Sequence, residues 1–491
     1  MVNTNPSRGG ESTVKKMRSL LALFVVFALV LAACGGGDDD ADAGDDGAAE
    51  ETSATTAAPA DEPADEPADE PADEPADEPM EDVTLRVLIH QNPAFTEYME
   101  AFNADFEAAN PGVTVDMSVV APGDMATSIQ TRLTAADVDV IDYCVSPCAG
   151  FTNGIQPYMS GIEAPPTWQQ LIEAGLIMDI TDEPFVQNFD EATIQDATTF
   201  NDRVYAINMG RSGFSGMFTN TDLLADVGVE IPTTWSELVA ACEAITASGN
   251  ACMTNGGGDT WPLFVGTYGI IGAMFPDQAA LSEGLWTGDI KWNEGAGLEL
   301  MEKLQVYAQD MLEPGTTGLS HDEATARYAA GDVAFLPTGT WQGANLEGFE
   351  PDFEWTYVPM PGTDDPADNQ YLFGKYDLSF MIAEDTPNPD VAKAYLAALA
   401  DTGNYQEFVD ATGFIPTQPT ATLDSVVGAA VAPLLENYRP AFEQIWVAPT
   451  GAGQWANAWQ GASWFTPFNE WDDATALANQ AQADLEAGLG G

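Results

Sequence analysis

Along residues 83–145 the period of the apolar positions switches repeatedly between that of a strand and that of a helix. VTLRVLIH (83–90) is a dense run of aliphatic residues closed by Gln91-Asn92-Pro93, the pattern of a buried strand. Phe95, Met99, Phe102 and Phe106 then recur at helical spacing and face one way, until Asn110-Pro111-Gly112 breaks the helix. VTVDMSVV (113–120) predicts a second strand, and Gly123-Asp124 starts a second helix running to Ala136. VDVIDYCV (138–145) predicts a third strand. Strands alternating with helices argue for an α/β fold with a parallel sheet covered by helices. Sheets of this kind carry a binding crevice beyond the carboxyl ends of their strands.

A second set begins beyond residue 210. FSGMFTN is strand-like and Asp222 opens a short helix; IPTTWSELVAACEAITASG predicts a helix from about Trp235 to Ala247. KWNEGAGLELMEKLQVYAQDML carries a long amphipathic helix ending near Met311, and HDEATARYAAGD a further helix before the strand VAFLPTG. GKYDLSFMIA (374–383) reads as a strand, NPDVAKAYLAALA as a helix, and the C-terminal region as helical and rich in tryptophan.

The first 82 residues follow other rules. Lys15, Lys16 and Arg18 precede an apolar run over 20–33, too short to span a bilayer as a helix but suited to the core of a secretory signal. The run ends Leu31-Ala32-Ala33-Cys34, which resembles a bacterial lipoprotein signal and implies cleavage before Cys34 and lipidation of that cysteine. Residues 34–82 then form an acidic tether with five tandem Ala-Asp-Glu-Pro units over 60–79. Such a segment buries too little apolar surface to offset its ordering entropy, and proline with charge repulsion keeps it extended. Its reach is on the order of 150 Å. The expected protein is anchored to the outer face of the cytoplasmic membrane by lipid alone.

Charge narrows the partners. The chain has 78 acidic and 14 basic residues, a formal net charge of −64. Residues 83–491 keep 57 acids against 10 bases, so nucleic acid and anionic lipid are excluded as partners. A dispersed acidic surface suited to a salty medium and an attraction for a cationic ligand both account for this balance. With Cys34 set aside, the even count of Cys144, Cys148, Cys242 and Cys252 in an exported chain predicts two disulfides. Local pairing, Cys144 with Cys148 and Cys242 with Cys252, is expected, with three connectivities open. The spacings lack the Cys-x-x-Cys form of a zinc site, and two histidines are too few for a histidine-rich one.

In their order, these segments resemble the extracellular solute-binding proteins of ABC importers, in particular the maltose-binding-like, sugar-binding group. AFNADFEAANPGVTVDM, TSIQTRLTAADVDVIDY, the long DRVYAINMGRSGFSGMFTNTDLLADVGVEIPTTWSELVAACEAI and ARYAAGDVAFLPTGTWQGANLEG carry the likeness, which spans nearly all of 83–485. CVSPCAGFTNGIQPYMSG departs from it, standing where a shorter loop is usual. The resemblance implies a two-lobed periplasmic-binding-protein-like fold, each lobe a mostly parallel sheet flanked by helices. A hinge would close the lobes on a ligand in the cleft between them. The lobes are expected at 83–210 plus 345–400, and 211–344 plus 401–485. A monomer without cofactor, delivering a mono- or oligosaccharide to permease subunits, is implied.

A sugar needs aromatic plates for its ring faces and planar polar groups for its hydroxyls. Trp341 in PTGTW resembles the group's stacking tryptophan, Trp261 in GGDTWPL a cleft aromatic, and Trp464 a ring of the segment that closes over ligand. Gln91, Asn92, Asp142 and Tyr143 sit at strand ends; Arg211 in the crossover, Tyr376 after Gly374 and Asp259 beside Trp261 complete the candidates. An enzyme is disfavoured: there is no His-Glu-x-x-His, no P-loop and no Gly-x-Ser-x-Gly, since Gly213-Phe214-Ser215-Gly216-Met217 lacks the last glycine. A carboxylate pair for glycoside hydrolysis stays open among so many acids. A polyamine receptor of the same fold, using Asp142 and Asp259 beside aromatics, is the main alternative.

Overall fold

The computed structural model describes residues 82–490 apart from 145–150, 152–153 and 163. The expected signal segment, Cys34 and the repeat tether lie outside the described residues, as does Cys148. Strand β1 (Val83–His90) pairs in parallel with β2 (Val113–Val120) on one side and β3 (Val140–Tyr143) on the other. Alternate residues of β1 enter different cores. Leu85, Val87 and Ile89 join Phe95, Met99, Phe102 and Phe106 of helix α1 (Pro93–Ala109), whereas Leu88 joins Met125, Ile129 and Leu133 of α2 (Met125–Thr134). Helices on both faces explain why this strand reads as a nearly unbroken apolar run.

The chain leaves this first sheet along β4 (Ile207–Gly213) and continues directly into β5 (Gly216–Asn220) of a second sheet. Helix α3 (Trp235–Ala247) packs there; Thr234 caps it, accepting from the Glu237 N–H, while the Glu237 carboxylate accepts from the Thr234 N–H. Replacing Thr234 with Ala removes this reciprocal cap and is expected to cost about 1 kcal/mol, read as a lower urea midpoint at unchanged slope. Strands β6 (Ala251–Met253), β7 (Val333–Pro337) and β8 (Trp355–Pro359) complete the second sheet in the order β8-β5-β7-β6. The return crossing runs through β9 (Leu372–Ile382), which pairs antiparallel with both β4 and β3 and in parallel with β10 (Tyr438–Pro440).

Two expectations are corrected. The second sheet is mainly antiparallel, because β5 enters it and β8 leaves it in opposite senses, and β5 also runs against β7; only β6 and β7 pair in parallel. The lobe limits also shift. Residues 355–359, expected with the first lobe, hydrogen-bond to β5 in the second sheet. Helix 402–412, expected with the second lobe, packs on α1 instead: Phe408 lies 5.4 Å from Tyr98, whose hydroxyl donates to the Asn404 carbonyl at 2.9 Å. A third crossing follows this helix, where Ile415 and Arg211 exchange backbone hydrogen bonds of 2.8 and 2.9 Å.

Cys242 and Cys252 form a disulfide with Cα atoms 4.9 Å apart, joining α3 to β6. Cys144 is also disulfide-bonded. No helix among the described residues is long and apolar enough to cross a membrane.

Candidate functional site

The carboxyl ends of β1 and β2 open onto a cavity of about 200 Å³. His90, Gln91 and Asn92 enter from the end of β1, and Pro122 and Gly123 from the end of β2. Asn92 also caps α1, its Oδ1 accepting from the Phe95 N–H at 3.2 Å. The second lobe contributes an aromatic wall. Trp261 and Trp341 lie 6.4 Å apart and tilted, with Phe214 of the first crossing 6.2 Å from Trp341.

The position of the Trp341 plate follows from a glycine. A Cβ at Gly339 would stand 1.9 Å from the indole, so only glycine leaves that space. The segment itself is fixed by hydrogen bonds between Thr340 and Gly213, backbone N–H to carbonyl at 2.7 Å and Gly213 N–H to the Thr340 hydroxyl at 3.0 Å. Gln342 follows, fully buried, donating to the Thr325 hydroxyl at 2.7 Å.

Strand β9 supplies Lys375 and Asp377 to the floor. Their charges pair at 3.5 Å, the Ser212 hydroxyl donates to Asp377 at 3.0 Å, and the Lys375 ammonium lies 5.9 Å over the Trp341 ring. Glu443 reaches the cavity from the C-terminal region and accepts from the Tyr268 hydroxyl at 3.0 Å; burial raises its carboxyl pKa. His321 is buried against Trp261 with ring centroids 4.6 Å apart, and burial pushes its imidazole down to about 4. Beside it, Asp322 is raised by burial and by the nearby charge of Asp259.

Of the residues expected from sequence, Gln91, Asn92, Trp261 and Trp341 line the cavity. The other six stand elsewhere. Asp142 is fully buried behind His90 and accepts from its Nδ1 and its backbone N–H, so the histidine and not the acid faces the cavity. Tyr143 is buried in the core under α2, its pKa raised by burial. Tyr376 and Arg211 are register partners. They share the face of the crossing strands opposite to Lys375 and Asp377. The Arg211 guanidinium donates to the Pro416 carbonyl at 3.2 Å and lies 5.7 Å over the Tyr438 ring. Asp259 is exposed behind His321, accepting from its backbone N–H at 2.7 Å. Trp464 packs on Trp455 in a C-terminal tryptophan cluster, 4.8 Å between ring centroids.

Sequence reasoning missed His90, His321, Asp322, Lys375, Asp377 and Glu443. Strand alternation would have placed Lys375 and Asp377 together once Tyr376 was set on the other face. Glu443 carries no local signal, because only the tertiary fold returns it to the cleft.

Two sheets joined by crossing strands, with a polar and aromatic cavity at their strand ends, define a two-lobed α/β binding protein. The comparisons agree: residues 91–406 match the model of the bacterial extracellular solute-binding protein family, and the chain belongs to that family. It is 22% identical over 316 residues to the multiple sugar-binding protein of Streptococcus mutans, covering 63% of this chain and 69% of that protein. The raffinose complex of the binding protein RafE superposes with a TM-score of 0.64 at 19% identity, over 82% of this chain and 98% of that one. The maltotriose-binding protein of Thermus thermophilus, with maltotriose bound, gives 0.59 at 14% identity, over 82% and 99%.

Proposed function

We propose that this chain is an exported lipoprotein that captures a saccharide in the cleft and presents it to the permease of an ATP-driven importer. The observation that carries the reading is the paired plates Trp341 and Trp261 above a cavity rimmed by the planar amides of Gln91 and Asn92. Ring faces stack on the indoles, while hydroxyls exchange hydrogen bonds with the amides and charged groups of the floor. His90, held by Asp142, presents its remaining ring nitrogen to the same space. The relatives' bound raffinose and maltotriose, and the sugar-binding name of the streptococcal protein, support this class of solute. Binding without turnover is expected, with hinge closure between the lobes.

Titration calorimetry of the purified chain against a saccharide panel, with spermidine as the cationic comparator, tests the reading. Saturable heat from at least one saccharide, at one site per chain and with the saccharide recovered intact, is expected. Heat from spermidine with none from any saccharide overturns it in favour of a polyamine receptor.

A further inference from the structure

The cleft is more acidic than a neutral sugar requires. Asp322, Asp377 and Glu443 line it, against Lys375 as the single lysine or arginine on the wall. Lys375 is engaged with Asp377 at 3.5 Å, and its charge also acts on Glu443. His321 does not compensate, because burial keeps its ring neutral at physiological pH and its Nε2 is bonded to the Thr338 hydroxyl at 2.9 Å. Asp322 forms no ion pair with any arginine or lysine among the described residues, and the exposed Asp259 lies close enough to add its charge.

Helix 321–329 begins here, and its N-terminus favours negative charge. That demand is already met by others: Glu323 completes the capping box with Ser320, and Asp259 accepts from the His321 N–H. Asp322, hydrogen-bonded to the Gln342 side chain, lines the cavity wall together with Trp261 and Trp341. Trp261 lies tilted against His321, the residue immediately before Asp322, with Trp341 6.4 Å beyond. A carboxylate beside indole faces is the environment that holds an ammonium group. The cavity already contains one example, in which Lys375 sits between Asp377 and the Trp341 ring. The corner of Asp322 and Trp261 repeats those components without an ammonium of its own.

Resting on the saccharide reading above, we infer that the solute is a saccharide bearing a protonated amine, its ammonium seated against Asp322 beside Trp261 and its ring stacked on Trp341. The neutral hydroxyls keep the amide contacts described above, and the amine adds the charge contact. Asp322 is then a specificity-determining residue that separates amino sugars from neutral or acylated ones.

Matched probes test this on the full purified chain: oligomers of two to four glucosamine units, the same oligomers fully N-acetylated, and spermidine. Acetylation removes the charge while retaining the sugar rings. Calorimetry is expected to show the amine forms binding at least tenfold more tightly than the acetylated forms. Asp322→Asn should reduce that preference to threefold or less, with the circular dichroism spectrum of the parent chain confirming the fold. Equal or tighter binding of the acetylated or other neutral saccharides overturns the amine inference and leaves the saccharide reading standing. A preference that persists in Asp322→Asn overturns the assignment to this residue. Binding of spermidine alone overturns both readings, and failure of every amine-bearing saccharide overturns the inference.

Discussion

Replacing Arg86 with Ala is expected to destabilise the folded chain by about 3–5 kcal/mol, because it strands a buried carboxylate. Asp139 is fully buried at the start of β3, and its oxygens accept from Arg86 Nε and Nη2 at 2.9 and 2.8 Å. The Thr386 hydroxyl donates to the same group at 2.8 Å, so one carboxylate joins β1, β3 and the loop after β9. Burial alone would raise this carboxyl; the Arg86 guanidinium and backbone N–H, together with Thr386, hold it below its usual value. A depressed folded-state pKa contributes stability that is present above the unfolded value, near 3.9, and lost as pH falls through the folded value. In Arg86→Ala, burial acts with less opposition, so the deficit is largest at neutral pH and shrinks as acid neutralises Asp139. Urea unfolding of both chains at pH 7 and pH 4 checks this. A deficit that is small, or equal at the two pH values, would show that Arg86 acts only through packing of its stem.

Much of the fold was legible because its elements obey local rules. β1, β2 and helix α3 have the limits their patterns predict, since an aliphatic run, a capping threonine and a breaking Asn-Pro-Gly act over a few residues. The sense of the second sheet was not legible. It depends on the chain crossing twice in opposite directions, and no window of sequence records direction. The same division runs through the site. Trp341 and Trp261 were readable through the family resemblance, and Gln91 and Asn92 as strand-end residues. Asp142 was placed at the correct strand end but faces inward to His90, a choice set by strand alternation and by which neighbour fills the cleft. Tyr376 failed by one position, which in a strand reverses the face.

Gly339 and Trp341 are expected to act as one unit in binding. Trp341→Ala removes the plate and should weaken saccharide binding by about 1–3 kcal/mol, or roughly 5- to 150-fold, the range for a lost stacking aromatic. Gly339→Ala keeps the indole but places a methyl carbon where its ring now lies, 1.9 Å away. The backbone has little freedom to yield, because Thr340 is bonded to Gly213 and the Gln342 N–H donates to the Gly339 carbonyl at 3.1 Å. The indole is therefore what moves from its present place near Lys375 and Trp261, and affinity falls although every ligand-facing group is still present. If the glycine matters only through the ring, the double variant binds no more weakly than Trp341→Ala alone, and the two single losses fail to add. Calorimetry on the four chains of this cycle decides the point. Additive losses would mean that Gly339 supports the cleft by some route other than the tryptophan, and full affinity in folded Trp341→Ala would remove the plate from the site.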